Sequence, residues 1–360
     1  MDAPHSPPPP AQHPRPALGL TGQWFVACRA TALRDRPLAA TIQGIPLVLF
    51  RGADGRPAAL EDRCPHRNAP LTAGRVRGGE LECGYHGWRF DGTGACLRVP
   101  GLEAPPGARG ARATSFACVE QDGYLWVFST PGEPAGSPRR FPLLDDRRYT
   151  TVRRELEVRG TLLAALENTL DVPHTAFLHG GLFRTRGAPR AIDVVVRRYA
   201  DRCEAEYVGE PRPEGLAARL LAPGGGVVTH LDRFLLPSVA QVEYRLGEGS
   251  HLVVTTAMTP TDERRTRLHS AVTFRLGVPG WLVRPLLTPI ATRILAQDAR
   301  MLALQAENVA RFGGERFAST AVDVLGPQIA RLLGDAARGE RAAARPGDAP
   351  EHEHRLRMLL

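Results

Sequence analysis

The sequence predicts an α+β protein, in which an all-β N-terminal domain precedes a domain that packs an antiparallel sheet against helices. Short apolar runs separated by Gly, Pro and Asp fill residues 20–130, and this pattern is typical of strands joined by tight turns. More β-like runs follow residue 190. A long helical pattern then extends from about Pro289 to Phe312, with its apolar residues mostly on one side.

The first domain is predicted from four strand-like segments, which are Trp24–Cys28, Leu47–Phe50, Leu81–Cys83 and Tyr124–Phe128. The segment Thr130–Arg140 follows and contains three prolines and two glycines. Such a cluster interrupts regular structure, so we expect it to lead into the second domain.

The second domain is predicted to begin with Arg159–His179, which is helical in its first part. Five β-like runs follow it and suggest one antiparallel sheet. These runs are Ile192–Tyr199, Val227–Leu236, Gln241–Leu246, His251–Met258 and Leu268–Leu276. We therefore expect a disordered proline-rich tail at residues 1–19, a first domain at 20–135, a second domain at 136–335 and a disordered tail at 336–360.

The composition is that of an ordinary globular protein and disfavours two classes of partner. The hydrophobic share is 43%, and no run of about 18 apolar residues, the length that a membrane helix needs, occurs. The N-terminal segment lacks the apolar core of a secretory signal, so we expect a cytoplasmic protein with no membrane partner. The net charge is +8, but the 46 basic residues are scattered and are all arginine. Because no binding motif accompanies the charge, we expect no nucleic-acid partner.

Six cysteines occur, without the even ladder of a small disulfide scaffold. Four of them lie in or near strand-like runs and are expected to be core or bystander thiols, because free cysteine behaves as a small apolar residue. These four are Cys28, Cys96, Cys118 and Cys203.

The other two cysteines belong to a pair of short segments that each offer one thiolate and one imidazole. Cys64-Pro-His66 is separated by 16 residues from Cys83-Gly-Tyr-His86. This set suits a [2Fe–2S] cluster in which one iron binds two Cys and the other binds two His. A structural zinc site is the alternative, but zinc fingers usually pair Cys with Cys and His with His. The mixed segments therefore favour the iron–sulfur cluster.

A second group of candidate ligands lies in residues 167–179. Asn168, Asp171 and His174 are spaced by three residues and would share one helical face, and Pro173 ends or bends the helix. His174 and His179 are roughly 140° apart on an ideal helix, so the bend is what would let both converge. Taken alone, two such histidines could be structural. Asp171 is also placed to accept a hydrogen bond from the outer N–H of His174.

Two imidazoles and one carboxylate would leave positions open on an Fe(II) for O₂ and substrate. The best candidate for the carboxylate is Asp298, which lies among apolar positions of the late helix. A buried carboxylate needs a partner because an unpaired charge is costly, and a metal is one such partner. A salt bridge to Arg293 or Arg300 is the alternative.

Together the two motifs resemble those of the Rieske-type non-heme iron oxygenases, the α-subunit family of ring-hydroxylating oxygenases. The first motif, which Gly87-Trp88 follows, is similar to that family's C-x-H…C-x-x-H. The pattern N-x-x-D-x-x-H-x-x-x-x-H at residues 168–179 is similar to the motif of its catalytic domain. The resemblance covers about residues 20–315 and implies a Rieske β-sandwich followed by a helix-grip, START-like catalytic domain.

The resemblance also implies metal ligands. They are Cys64, His66, Cys83 and His86 for a [2Fe–2S] Rieske cluster, and His174, His179 and Asp298 for a mononuclear Fe(II). Asp171 would carry electrons to the iron from a Rieske histidine, expected to be His86 of a neighbouring subunit. Asn168 corresponds to a polar residue that lies nearby in the family.

By the same resemblance, the chain is a terminal oxygenase with O₂ as co-substrate and a separate NAD(P)H-dependent reductase or ferredoxin as partner. It would hydroxylate, demethylate, desaturate or cyclise an apolar or aromatic small molecule. The absence of a G-x-G-x-x-G fingerprint agrees with a separate reductase. The chain resembles the α-only members, so a homotrimer is expected. The alternatives are a Rieske electron-transfer protein with a ligand-binding C-terminal domain and a zinc-stabilised binding module.

Overall fold

The computed structural model describes residues 19–103, 112–179, 190–210, 228–247, 249–276, 279–340 and 349–359. The tail predicted at residues 1–19 lies outside the described residues except for Gly19. Within the described ranges, none of the helices combines the length and the apolar character that crossing a membrane requires.

The N-terminal part of the chain is built of strands. They are β1 (Trp24–Arg29), β2 (Leu38–Ile42), β3 (Ile45–Arg51), β4 (Pro57–Glu61), β5 (Arg75–Arg77), β6 (Glu80–Glu82), β7 (Arg89–Phe90), β8 (Cys96–Arg98), β9 (Ser115–Gln121) and β10 (Tyr124–Pro131). Six of them form one sheet in the order β1-β10-β9-β4-β3-β2, and β5-β6-β7-β8 form a second sheet. All four strand-like segments predicted here fall on strands.

The two N-terminal sheets enclose an apolar core. Phe50 and Leu60 come from the larger sheet, and Leu81 and Phe90 come from the smaller one; all four are fully buried in a single cluster. Cys64 and Cys83 belong to the same cluster. Because burial of each large apolar side chain stabilises the fold by roughly 1.5–3 kcal/mol, this core holds the two cysteine segments at a defined separation.

In its described ranges, the rest of the chain forms one antiparallel sheet and four helices. The strands are β11 (Thr150–Arg159), β12 (Ala191–Arg198), β13 (Arg202–Val208), β14 (Val228–Leu235), β15 (Val239–Leu246), β16 (Ser250–Asp262), β17 (Arg265–Arg275) and β18 (His352–Leu359). Their order is β11-β17-β16-β15-β14-β13-β12-β18. The helices are α1 (Leu162–Leu170), α2 (His174–Leu178), α3 (Gly280–Arg311) and α4 (Gly326–Ala337).

The eight-stranded sheet is covered on both faces. Leu166 of α1, Leu302 of α3 and Ile329 of α4 are buried in one cluster with Val194 and Ala205 of the sheet. The opposite face packs against the N-terminal part, where Trp126 and Ala257 share a cluster and Thr259 Oγ1 donates to the carbonyl oxygen of Val26 at 2.6 Å. The predicted α+β class is therefore confirmed, whereas the boundary between residues 135 and 136 stays a prediction.

Helix α3 begins at Gly280, earlier than the predicted start at Pro289, and it continues through Pro285 and Pro289. Proline removes a helical hydrogen bond and therefore usually marks the start of a helix. Here Val283 is 1% exposed and packs in a cluster with Phe274 of β17. This burial anchors the additional turns and offsets the lost hydrogen bonds.

The expected disorder at residues 336–360 needs correction. α4 extends to Ala337, and His352–Leu359 forms β18, which pairs antiparallel with β12 along its whole length. The composition of this segment indicated a solvated tail, but Leu356 and Met358 alternate with arginines. Alternation puts both apolar side chains on one face of the strand, where Met358 is 3% exposed.

Candidate metal centres

The two cysteine segments of the N-terminal domain share one backbone geometry. Asn68 N–H donates to the carbonyl oxygen of Cys64 at 2.9 Å, and Gly87 N–H donates to that of Cys83 at 3.0 Å. In both loops the cysteine N–H donates at 2.8 Å to the carbonyl oxygen five residues later. Asn68 and Gly87 both have a positive φ, of 58° and 70°, which Asn and Gly adopt at low cost. The chain thus builds the same turn twice.

The paired loops bring the four predicted cluster ligands together. Cys64 and Cys83 are each 2% exposed, His66 is half-buried and His86 is exposed. The two imidazole rings lie 4.5 Å apart between their centroids. Burial, reinforced by the neighbouring thiol of Cys83, raises the pKa of the Cys64 thiol to about 11. Two thiols therefore lie side by side at the buried end, and two imidazoles lie at the surface.

This donor set fits a Rieske-type cluster. The thiols and the imidazoles are segregated, as required when one iron binds two Cys and the other binds two His. Nδ1 of His66 is buried and makes no hydrogen bond, which is costly for a polar atom unless it has another partner, such as a metal. A structural zinc ion, the alternative occupant, would use the same four donors.

Glycines permit the close approach of the two loops. A Cβ atom on Gly84 would lie 2.7 Å from the carbonyl oxygen of Ala73, and one on Gly74 would lie 2.0 Å from that of Glu82. Real Cβ atoms essentially never make contacts below 3.0 Å. Any larger residue at either position would therefore force the loops apart.

Aromatic rings surround the outer imidazoles. The ring of Trp88 stacks on that of His66, with centroids 4.6 Å apart and an interplanar angle of 5°. Tyr85 is 66% exposed, and its ring lies 3.8 Å from that of His86. His66 is thus held by packing, whereas His86 stays accessible from outside the chain.

The second group of candidate ligands depends on a break between α1 and α2. Thr161 caps α1 at its N-terminus, and the helix ends at Asp171, which is extended with φ −90° and ψ 108°. Pro173 follows and precedes the first residue of α2, a position that suits its fixed φ and missing N–H. As the sequence predicted, the proline interrupts the helix, and His174 and His179 stand at the two ends of α2.

His174, His179 and Asp298 offer ligand atoms that all lie within 4.8 Å of one another. Asp298 Oδ1 is 3.0 Å from Nε2 of His179 and 3.7 Å from Nε2 of His174. This oxygen is buried, and despite these distances it accepts no hydrogen bond of acceptable geometry. No ion pair joins Asp298 to Arg293 or Arg300 in the described ranges. Two imidazole nitrogens and a carboxylate oxygen converging on one point fit a divalent metal such as Fe(II).

The outer nitrogens of both histidines are also occupied. Nδ1 of His174 makes a short hydrogen bond with the main-chain carbonyl oxygen of Asp171. Nδ1 of His179 lies 3.0 Å from Oε1 of Gln297, a residue to which the sequence assigned no role. Hydrogen bonds at the outer nitrogen orient metal-binding histidines, so both rings are arranged to present Nε2 to the centre.

The charges at this centre favour a cation. Burial lowers the pKa of His174, but Asp171 and Asp298 outweigh it and raise that pKa to about 9. Burial raises the pKa of Asp298, but His174 and His179 outweigh it and hold that pKa below its usual value. The Asp298 carboxylate is therefore ionised, and its negative charge attracts a cation to the two histidines.

Asn168 and Asp171 line one cavity of about 460 Å³ beside this centre, together with Tyr207, Met301 and Phe317 among others. The side chain of Asp171 is 38% exposed. The structure thus brings these two predicted site residues to one accessible cavity, and neither belongs to the group of three ligand atoms.

A buried network on the inner face of the sheet was not anticipated from the sequence. His230 is 1% exposed, with Nδ1 2.5 Å from Glu210 Oε2 and Nε2 2.9 Å from Asp232 Oδ1. Its ring stacks between those of Tyr207 and Tyr244, at 4.6 Å and 4.0 Å. The sequence pattern that could have revealed this network is the alternation along β14, which places His230 and Asp232 on one face of the sheet.

Two family models match the chain. Residues 23–118 match the Rieske [2Fe-2S] domain, and residues 158–338 match the vanillate O-demethylase oxygenase C-terminal domain. Cys64, His66, Cys83 and His86 fall in the first match, and His174, His179 and Asp298 fall in the second.

Individual proteins also resemble the chain. The oxygenase component of dicamba O-demethylase from Stenotrophomonas maltophilia is 39% identical over 161 residues, which cover 43% of this chain and 46% of that protein. The chain thus matches less than half the length of that relative. The vanillate O-demethylase oxygenase subunit of a Pseudomonas strain is 25% identical over 351 residues, which cover 89% and 96% of the two chains.

Solved structures share the fold over most of the chain. Dicamba monooxygenase bound to dicamba superposes with a TM-score of 0.75 at 25% identity, covering 89% of this chain and 98% of that one. NdmA of Pseudomonas putida CBB5 with caffeine superposes with a TM-score of 0.72 at 23% identity, covering 90% and 93%. The second likeness concerns the fold alone.

Proposed function

Because the chain belongs to the Rieske non-heme iron oxygenases, we propose that it is a terminal oxygenase component, which oxidises an apolar or aromatic small molecule with O₂ and electrons from a separate reductase or ferredoxin. The observation that carries the proposal is the presence of both donor sets in one chain. Cys64, His66, Cys83 and His86 converge in one part, and His174, His179 and Asp298 converge in the other. A Rieske electron-transfer protein would need only the first set.

The family's cofactors are a Rieske [2Fe–2S] cluster and a mononuclear iron that works with O₂. When bound, the cluster supplies single electrons and the iron supplies a centre at which O₂ is reduced. In our proposal the two thiols and two imidazoles of the N-terminal loops hold the cluster. His174, His179 and Asp298 would hold the iron, and a site with three protein ligands would leave positions open to O₂ and substrate.

Asp171 is proposed to connect the two centres. Its backbone contacts His174, and its carboxylate is 38% exposed, so another group can reach it. His86 is likewise exposed. We therefore propose a homotrimer in which His86 of one copy approaches Asp171 of the next copy. Asn168 lines the same cavity as Asp171.

O-demethylation of an aromatic methyl ether is the first reaction to test. Two relatives are named as O-demethylases, one for dicamba and one for vanillate. The second family model also carries the name of the vanillate enzyme. Inserting one oxygen atom into a methyl C–H bond would consume one O₂, two electrons and two protons and release water. The resulting hemiacetal would break down to a phenol and formaldehyde.

The names of these relatives also support a separate electron donor, since they are called an oxygenase component and an oxygenase subunit. The proposal therefore includes a reductase or ferredoxin as partner. The cytoplasmic location stays a prediction.

The test is to supply the purified protein with reductant and a panel of methoxy-aromatic, N-methyl and unsubstituted aromatic compounds. We expect O₂ uptake, formaldehyde and demethylated product in equal amounts with one or more methoxy compounds. A cluster that is reduced and reoxidised with no substrate-dependent O₂ uptake across the panel would favour the electron-transfer alternative. Histidine variants of the iron centre are to be compared with His352→Ala, which replaces an exposed histidine of β18 outside both donor sets.

A further inference from the structure

Two consecutive residues of α3 contact opposite edges of one imidazole ring. Oε1 of Gln297 lies 3.0 Å from Nδ1 of His179, and Oδ1 of Asp298 lies 3.0 Å from Nε2 of the same ring. His179 is 2% exposed, so bulk water cannot replace either contact. The orientation of this ring is therefore set by one helix.

The contact with Gln297 also determines which nitrogen carries the proton. An amide oxygen only accepts hydrogen bonds, so Nδ1 of His179 must donate, and the neutral ring then has its lone pair at Nε2. Nε2 is the atom that faces Asp298. The reversed amide would place its NH₂ group against Nδ1 and move the proton to Nε2, which would prevent that nitrogen from binding a metal.

The other histidine of the group is held by a different kind of partner. Nδ1 of His174 contacts the main-chain carbonyl oxygen of Asp171 and lies 3.4 Å from its carboxylate. A carboxylate at this position makes an imidazole a stronger donor to metal. Gln297 instead holds His179 without adding a negative charge to a centre that already has Asp171 and Asp298.

We infer that Gln297 is a positioning residue of the mononuclear iron centre, which fixes the ring orientation and the tautomer of His179 through its side-chain carbonyl oxygen. The inference rests on the proposed function, because it takes His179 to be an iron ligand. Gln297 acts through His179 and does not itself bind the iron.

The test measures how tightly Fe(II) is held, independently of turnover. A ferrous chelator is used to remove the mononuclear iron from the holoenzyme, Fe(II) is titrated back, and the absorbance of the Rieske cluster reports that the protein remains folded. Gln297→Leu removes the acceptor with little change in size, and it should weaken Fe(II) binding by about 10–100-fold. Gln297→Glu restores an acceptor oxygen and should bind Fe(II) at least as tightly as the wild type.

Gln328→Leu is the matched control, because Gln328 lies on α4 and accepts a hydrogen bond from Arg198 at 2.9 Å. It should leave Fe(II) binding unchanged. Wild-type affinity in Gln297→Leu, or an equal loss in Gln297→Glu and Gln297→Leu, would overturn the inference. Wild-type affinity in His179→Ala would instead refute the iron site itself. Absence of oxygenation with normal Fe(II) binding would count against the proposed function alone.

Discussion

The main-chain carbonyl oxygen of Asp171 makes the closest contact with the outer nitrogen of His174, whereas the carboxylate of Asp171 lies 3.4 Å from that nitrogen. The sequence had indicated the carboxylate as the acceptor. Oδ2 of Asp171 instead accepts a hydrogen bond from the main-chain N–H of His174, at 3.3 Å. The orientation of His174 thus depends chiefly on the backbone, which a substitution of the Asp171 side chain leaves in place.

Asp171→Asn should therefore keep a reducible cluster and most of its iron, yet lose product formation by about 10-fold or more. The asparagine amide has the shape of the aspartate carboxylate but lacks its negative charge. Asp171 would need that charge to bridge the imidazoles of His174 and of His86 in the neighbouring copy. The measurement combines iron content, cluster reduction and product yield. Asp193→Asn, on the exposed side of β12, is the control. Normal turnover of Asp171→Asn, or a dilute monomer as active as the oligomer, would mean that electrons take another route.

The purified protein should be red-brown and should give a rhombic electron-paramagnetic-resonance signal after reduction. Cys64→Ser and His86→Ala should each abolish this signal, because two cysteines and two histidines are the minimum ligand set. Cys96→Ser should retain it, since Cys96 is buried in the same apolar cluster but lies outside both loops. Stoichiometric zinc without sulfide in elemental analysis would contradict the cluster.

His174→Ala and His179→Ala should each abolish turnover and leave the Rieske spectrum intact. The two histidines lie with Asp298 in a centre that shares no donor with the cysteine loops. Product formation and the electron-paramagnetic-resonance signal are measured on the same samples, with His352→Ala as the control. Full activity in either variant would refute the ligand assignment.

Gly84→Ala should lower the content of [2Fe–2S] cluster and reduce stability by about 1–3 kcal/mol, as expected for overpacking. The added Cβ would lie 2.7 Å from a backbone carbonyl oxygen of the partner loop. Gly249→Ala is the control, because nothing lies within 4 Å of a Cβ at that position. Cluster content follows from absorbance and sulfide analysis, and stability from the thermal midpoint. An unchanged cluster in Gly84→Ala would show that the loops adjust.

The His230 network should make stability depend on pH. Burial lowers the pKa of His230, but Asp232 and Glu210 outweigh it and raise that pKa from 6.5 to about 9. A raised pKa contributes stability that is fully present below pH 6.5 and is lost as pH rises towards 9, with an upper magnitude on the order of 3 kcal/mol. The thermal midpoint of the wild type should therefore fall more between pH 6.5 and 9 than that of His230→Gln. Parallel pH profiles would contradict a charged His230.

Much of the metal chemistry was predictable because it is encoded over short distances. A turn of four or five residues places Cys64 beside His66 and Cys83 beside His86, and the break at Pro173 separates α1 from α2. Strands with clear apolar runs, such as β10, were predictable for the same reason. β13 was missed although Cys203, Ala205 and Tyr207 alternate there with polar residues, because the polar residues mask a weak apolar signal.

The sequence by itself determined the types of donor and their local spacing, since turn geometry and helical periodicity depend on neighbouring residues. Only the tertiary structure decided that Asp298 meets His174 and His179, more than a hundred residues away, and that Gln297 meets the same ring. It also decided that β18 pairs with β12. Such contacts arise when separate segments bury apolar surface against each other, and no local pattern specifies which segments will meet.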